Sequence, residues 1–170
     1  MCDTAKGLRY LRFHNVSHRD LKPQNLLLHN VGDQKVLKIA DFGYAKVLQS
    51  NDLTLTFCGS PLYMAPELHA RQSYSAKADL WSVGIILYQL SVGDNPFKAT
   101  TLEQLTWMLT TQEISFPSKP ALSPPLKDLI VRLLQKNPFK RISWEEFFVH
   151  PWFGEPIGLP ESMAYVPLFL

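Results

Sequence analysis

Apolar positions follow two different periods along this chain. Ala5, Leu8 and Leu11, with Tyr10 and Arg12 beside them, fall at helical spacing and predict a helix over residues 3–14. Leu26-Leu27-Leu28 is a short apolar run, Gly32-Asp33 a turn, and Val36-Leu37-Lys38-Ile39 alternates; together they predict a β-hairpin. From Asp79 to Leu90 the chain is apolar nearly all round, the pattern of a central buried helix, and Gly93 and Pro96 end it. Thr101 to Thr111 reads as a further helix. Leu126 to Gln135 reads as an amphipathic one, with Leu126, Leu129, Ile130, Leu133 and Leu134 on one side. Pro117, Pro120, Pro124 and Pro125 punctuate the loop between these two helices. Ser143-Trp144-Glu145-Glu146 carries a capping-box pattern and opens a last short helix. Trp144, His150 and Trp152 are expected to pack. Residues 154–170 carry three prolines and are expected to form a poorly ordered tail.

Composition narrows the class. A chain of 170 residues with 46% hydrophobic and 19% charged residues suits one globular domain with a sizeable core. The net charge of +2 offers no argument for nucleic acid or an acidic membrane surface. Cys2 and Cys58 are the two cysteines, without metal-type spacing, so a disulfide scaffold and a zinc site are disfavoured and a reducing compartment is the default. No signal peptide and no twenty-residue apolar run is present, which reads as a soluble, cytoplasmic chain with no transmembrane segment.

The densest chemistry lies in His18-Arg19-Asp20-Leu21-Lys22-Pro23-Gln24-Asn25. One carboxylate, one ammonium and one amide stand within a short, proline-stiffened stretch. Moving a phosphoryl group onto a hydroxyl needs those parts. A carboxylate orients the hydroxyl and accepts its proton, a cation offsets the charge on the transferring group, and an amide oxygen holds a metal. Asp20, Lys22 and Asn25 supply them. The bland alternative is a charged surface turn before a strand. Residues 44–64 have poor periodicity and many small polar residues, and an aperiodic stretch of that length is usually functional or disordered.

In order along the chain stand H-R-D-x-K-x-x-N at 18–25, D-F-G at 41–43, A-P-E at 65–67, D-x-W-x-x-G at 79–84 and a late Arg141. Over residues 1–153 this resembles the C-terminal lobe of a serine/threonine protein kinase, with 154–170 as the tail. Ser60 to Glu67, Ala76 to Gly84 and Glu145 to Pro151 look closest to the autophagy-initiating (Atg/unc-like) kinases. The implied fold is α+β and protein-kinase-like: a mainly helical C-lobe with a short β-hairpin. No G-x-G-x-x-G loop, strand lysine or partner helix glutamate is present, so the N-lobe is expected to be absent and the fragment inactive alone.

The resemblance implies roles residue by residue. Asp20 is the base and Lys22 the electrostatic stabiliser; Asn25 and Asp41 hold Mg2+, and Leu27 joins them in floring the ATP site. His18 and Phe42 pack as part of a hydrophobic spine, and Gly43 lets the backbone turn. Thr56 is the phosphorylation position, with Arg19 and Lys46 as its basic pocket. Ser60 ties Asp20 to Lys22. Phe57, Pro61 and Met64 line the pocket for the residue after the phosphoacceptor. Glu67 pairs with Arg141, and Asp79 fixes the catalytic-loop backbone. Gln24 and Gln89 stand where kinases that read basic residues carry acids, which implies hydrophobic rather than arginine-flanked sites. The implied partners are protein substrates and autophagy regulatory subunits. The competing function is a non-catalytic C-lobe module that binds substrates or regulators.

Overall fold

A computed structural model of the chain describes residues 1–47, 60–70 and 75–158. Helix α1 (Cys2–Phe13) turns Thr4, Ala5, Leu8 and Leu11 inward, one helical face. Strand β1 (Val16–Ser17) follows. Strands β2 (Leu26–Val31) and β3 (Gln34–Ile39) form the expected hairpin, pairing antiparallel from Leu26 with Ile39 to Val31 with Gln34. Gly32 supplies the left-handed residue of its turn at φ 59°. The hairpin lies close on α1: a Cβ at Gly7 would stand 3.0 Å from Ile39 Cδ1. Asp3 also accepts the Leu37 N–H at 3.2 Å. Strand β4 (Lys46–Val47) pairs antiparallel with β1, Ser17 opposite Lys46. These two small sheets hold both ends of residues 18–25 and of residues 40–45, so the two segments lie side by side.

Beyond the short helix α2 (Pro66–His69), helix α3 (Lys77–Val92) runs through the core with every residue from Ala78 to Tyr88 buried. An all-round apolar surface can be satisfied only by neighbours on every side. Gly93, at φ 85°, ends α3 with its N–H on Gln89 O at 2.8 Å. Helix α4 (Leu102–Thr111) is capped by Thr101, whose Oγ1 accepts the Gln104 N–H at 3.1 Å. Helix α5 (Pro124–Leu133) begins at the two prolines that the sequence reading places in the loop. The first helical N–H groups have no intrahelical acceptor, so Pro124 and Pro125 lose nothing there. Leu129, Ile130 and Leu133 of α5 are buried. At Gly84 of α3 an added Cβ would lie 2.7 Å from Leu134 Cδ2 and 2.9 Å from Leu133 Cβ, so only glycine permits that approach.

Helix α6 (Trp144–Phe148) has the expected capping box: Ser143 Oγ accepts the Glu146 N–H at 3.1 Å and Glu146 Oε2 accepts the Ser143 N–H at 2.9 Å. Trp144, Phe147 and Phe148 form an aromatic cluster that Phe153 and Trp152 extend. His150 is buried and reaches Asp128 at 2.9 Å. The chain does not leave the domain at residue 154. Ile157 is buried in the core and its N–H donates to Phe148 O at 2.8 Å. The anchor is one apolar side chain among prolines and glycines, too little pattern to mark it in the sequence.

Candidate active site

Residues 18–25 take their shape from α3 beneath them. The Asp79 carboxylate, fully inside the protein, accepts the N–H groups of His18 and Arg19 and the Ser17 hydroxyl, each at 2.9 Å. Burial pushes the Asp79 carboxyl up; the donors at Arg19, His18 and Ser17 work against that by favouring the charged form. Arg19 has φ 68°, a conformation that costs a non-glycine residue roughly 1–3 kcal/mol, and the bond from its N–H to Asp79 holds it there. The same twist sends the Arg19 guanidinium to the Tyr44 carbonyl. A carboxylate in the first turn of a helix here serves a neighbouring loop rather than its own helix.

The loop in turn aims its side chains. His18 Nε2–H donates to Ala40 O at 3.0 Å and Nδ1 accepts the Asp20 N–H at 3.3 Å, which fixes one tautomer. Its ring lies 5.1 Å from that of Phe42. Asp20 Oδ2 accepts from Lys22 Nζ at 2.6 Å and from Asn25 Nδ2 at 3.2 Å; Oδ1 accepts the Ser60 N–H at 3.0 Å and the Ser60 hydroxyl at 3.3 Å. Lys22 Nζ also reaches Ser60 Oγ at 3.2 Å. Hydrogen bonding and charge at Asp20 raise the Lys22 ammonium above its ordinary value against the opposing effect of desolvation, with smaller help from Asp41 and Tyr44. Lys22 therefore stays cationic across the physiological range. A carboxylate, an ammonium and a hydroxyl are thus joined around one point.

Asn25 spends its amide nitrogen on Asp20, bonding Asp20 O at 2.8 Å as well as Oδ2. Its amide oxygen is left for another partner. Asp41, exposed and at φ 62°, uses Oδ1 to accept the Gly43 N–H at 3.3 Å. The left-handed residue of D-F-G is therefore Asp41 and not the glycine, whose position the sequence alone suggests. Local bonding by its own short carboxylate is what lets an aspartate take that shape. Among the described residues no cluster of three or more His, Cys, Asp or Glu is placed to hold a metal. The donor set is instead one amide oxygen and one carboxylate, hard oxygens that suit Mg2+ when phosphates and water complete the shell. Leu27 and Phe42 are 52% and 39% exposed, and Leu28, Phe13 and Tyr44 are also uncovered.

The loop after Gly59 returns against α3. Ser82 Oγ donates to Tyr63 O at 2.8 Å, and the Tyr63 hydroxyl donates to Gln89 Oε1 at 3.0 Å. Sequence reasoning passed over Tyr63 and Ser82, since a tyrosine and a helix serine carry no signal of a contact between distant segments. Pro61 opens a 3-10 turn, Pro61–Tyr63, and its carbonyl bonds His69 Nε2 at 3.0 Å. Burial lowers His69 below the ordinary imidazole value, so it serves as a neutral donor. Met64 is buried and lines a 10 Å3 cavity with Asp20, Tyr63 and Asp79. Glu67 and Arg141 form a buried bidentate pair at 2.8 and 2.9 Å. Lys46 lies in β4 opposite Ser17. Thr56 and Phe57 fall outside the described residues, as does most of the aperiodic stretch.

The chain also matches known proteins over most of its length. The protein kinase domain family model matches residues 1–153. The serine/threonine-protein kinase atg1 of Dictyostelium discoideum is 49% identical over 154 residues, covering 91% of this chain and 23% of that protein. ATG1b of Arabidopsis thaliana is 50% identical over 157 residues, 91% of this chain and 22% of that kinase. ULK3 of Xenopus laevis is 47% identical over 147 residues, 86% of this chain and 31% of its own length. The chain thus spans under a third of the length of these curated relatives. Among the described residues no helix is long and apolar enough to cross a membrane. With its H-R-D-x-K-x-x-N loop, its D-F-G turn and a family match over nine-tenths of its length, the chain belongs to the protein kinase family and is similar to Atg1 and ULK3 serine/threonine kinases.

Proposed function

We propose that this chain supplies the substrate-side half of a serine/threonine kinase active site, in a protein that phosphorylates other proteins during autophagy initiation. The observation that supports it most is the Asp20 carboxylate, held from four directions by Lys22, Asn25 and Ser60. A phosphoacceptor hydroxyl takes the place of the long 3.3 Å contact from Ser60 Oγ. Asp20 then orients that hydroxyl and receives its proton, while the Lys22 ammonium offsets the charge that grows on the transferring group. Asn25 and Asp41 are the residues that would hold Mg2+, and Leu27 with Phe42 would face the nucleotide. Mg·ATP when bound supplies the phosphoryl group and neutralises its oxygens. Arg19 and Lys46 serve a phosphate on Thr56, and Phe57, Pro61 and Met64 shape the site for the residue after the acceptor.

The kinase domain in this reading runs over residues 1–153, and the working protein is cytoplasmic and meets autophagy regulatory subunits. The uncovered Leu27, Leu28 and Phe42 are the seat of a nucleotide-binding lobe. The test compares the 170-residue chain with a chimera that places the N-terminal part of the Dictyostelium atg1 kinase domain ahead of Met1. The chain alone should transfer negligible phosphate, and the chimera should phosphorylate serine or threonine in a Mg·ATP-dependent way. Robust transfer by the chain alone, or an inactive but folded chimera, overturns the reading.

A further inference from the structure

Some distance from Asp20, the end of α3 borders a second depression. It measures about 520 Å3, within the size range of ligand and side-chain pockets. Its floor is aromatic and preformed: Tyr88 and Phe116 stack at 5.7 Å, and the Tyr88 hydroxyl donates to Ser115 O at 2.9 Å. Val92 of α3 and Met108 of α4 form apolar walls. Gln112 Nε2 closes one corner by bonding Pro96 O at 3.2 Å.

The charge around it is unbalanced. Asp94 and Lys98 at the rim neutralise each other at 2.6 Å. Lys119, also at the rim, makes no ion pair among the described residues. Lys127 lies over the Phe116 ring at 5.9 Å and makes none either. The surface therefore offers an apolar floor beside two uncompensated ammonium groups. We propose that this cavity docks a segment of the protein substrate in which a large apolar side chain stands next to a carboxylate. The apolar side chain covers Tyr88 and Phe116, and the carboxylate meets Lys119. Calling that occupant a substrate rests on the kinase reading given above.

Its place along α3 supports that occupant. Gln89, held by Tyr63 of the loop beside Asp20, is the residue next to Tyr88 on the same helix.

Binding can be measured on the 170-residue chain without nucleotide, so the result does not depend on catalysis. The probe is a short fluorescein-labelled peptide with one phenylalanine between two glutamates, read by anisotropy. Peptides with lysine for glutamate, or alanine for phenylalanine, serve as comparisons. The glutamate–phenylalanine peptide should bind saturably, and each comparison peptide about tenfold more weakly, the loss of one good contact. Lys119→Glu, a surface change that leaves the floor intact, should reverse the preference between the glutamate and lysine peptides. Phe116→Ala should weaken both. Absence of saturable binding, or a preference that Lys119→Glu leaves unchanged, overturns the proposal. Binding retained in Asp20→Asn, with phosphorylation lost in the chimera, separates this pocket from the site of transfer.

Discussion

Two ion pairs in this molecule have the same chemistry and opposite surroundings. Glu67 and Arg141 are 3% and 0% exposed, and all three nitrogens of the guanidinium are bonded. Nη1 and Nη2 bond the carboxylate, Nη1 also reaches Lys77 O at 2.9 Å, Nε reaches Gln135 O at 3.0 Å, and the Trp81 ring lies 5.2 Å away. Asp20 and Lys22 make one close contact at 2.6 Å, with the lysine 23% exposed and shared with Ser60. The first pair is closed: nothing can enter without leaving a buried charge unpaired. The second is open at one end, so its members can exchange partners with a substrate at little cost. A saturated, enclosed pair marks architecture; a pair with one face left to solvent marks a place where chemistry can occur.

Breaking the closed pair should have the largest effect on stability. Arg141→Ala leaves Glu67 charged in the core and should cost about 3–5 kcal/mol, read as a fall in the urea midpoint. Gly84→Ala tests the packing around that closed region. Its Cβ would press on Leu133 and Leu134 at under 3 Å, and about 1–3 kcal/mol of destabilisation is expected from the same denaturation curves. Ser143→Ala removes the hydroxyl half of the capping box of α6, leaving the backbone N–H that Glu146 accepts, and should cost about 1 kcal/mol. That contribution has a pH signature. The Ser143 N–H, then its hydroxyl and Arg132, hold Glu146 below its ordinary value of 4.5. A depressed carboxylate stabilises the native state above that value. Only the hydroxyl's smaller part of that lowering is lost in Ser143→Ala, so the difference between the variant and the native chain should shrink slightly as pH falls below 4.5. Lys22→Met, at the open pair, should move the midpoint least, by under about 1 kcal/mol, because a partly exposed pair is worth little to folding. A loss there as large as that of Arg141→Ala would erase the distinction between the two pairs.

How much of this could be read from the sequence depended on whether the cause was local. The hairpin, α3 and the capping box at Ser143 were legible because alternation, an all-round apolar run and a serine–glutamate spacing are each local facts. Pro124 and Pro125 misled because a helix start and a loop favour proline for the same missing N–H. The positive φ of Asp41 was hidden behind Gly43 two residues on, the residue type expected to turn. Within the site, Asp20, Lys22 and Asn25 stand close in sequence and were legible as a group. Their closeness to Ser60 was expected only from the family resemblance, and the hold of Ser82 and Gln89 on Tyr63 was not expected at all; both join segments far apart in the chain. No spacing rule in a single sequence encodes such contacts. Ile157 was missed for the same reason: its place in the core, and the Phe148 carbonyl that its N–H meets, are brought to it only by folding.

In the kinase reading proposed above, the open pair performs phosphoryl transfer while the closed pair only holds the fold. In the chimera described above, Asp20→Asn should lower kcat at least about a hundredfold, the scale of a lost general base, and leave the urea midpoint nearly unchanged. An Asp20→Asn chimera that keeps its activity, or one that loses it only by unfolding, would contradict that claim.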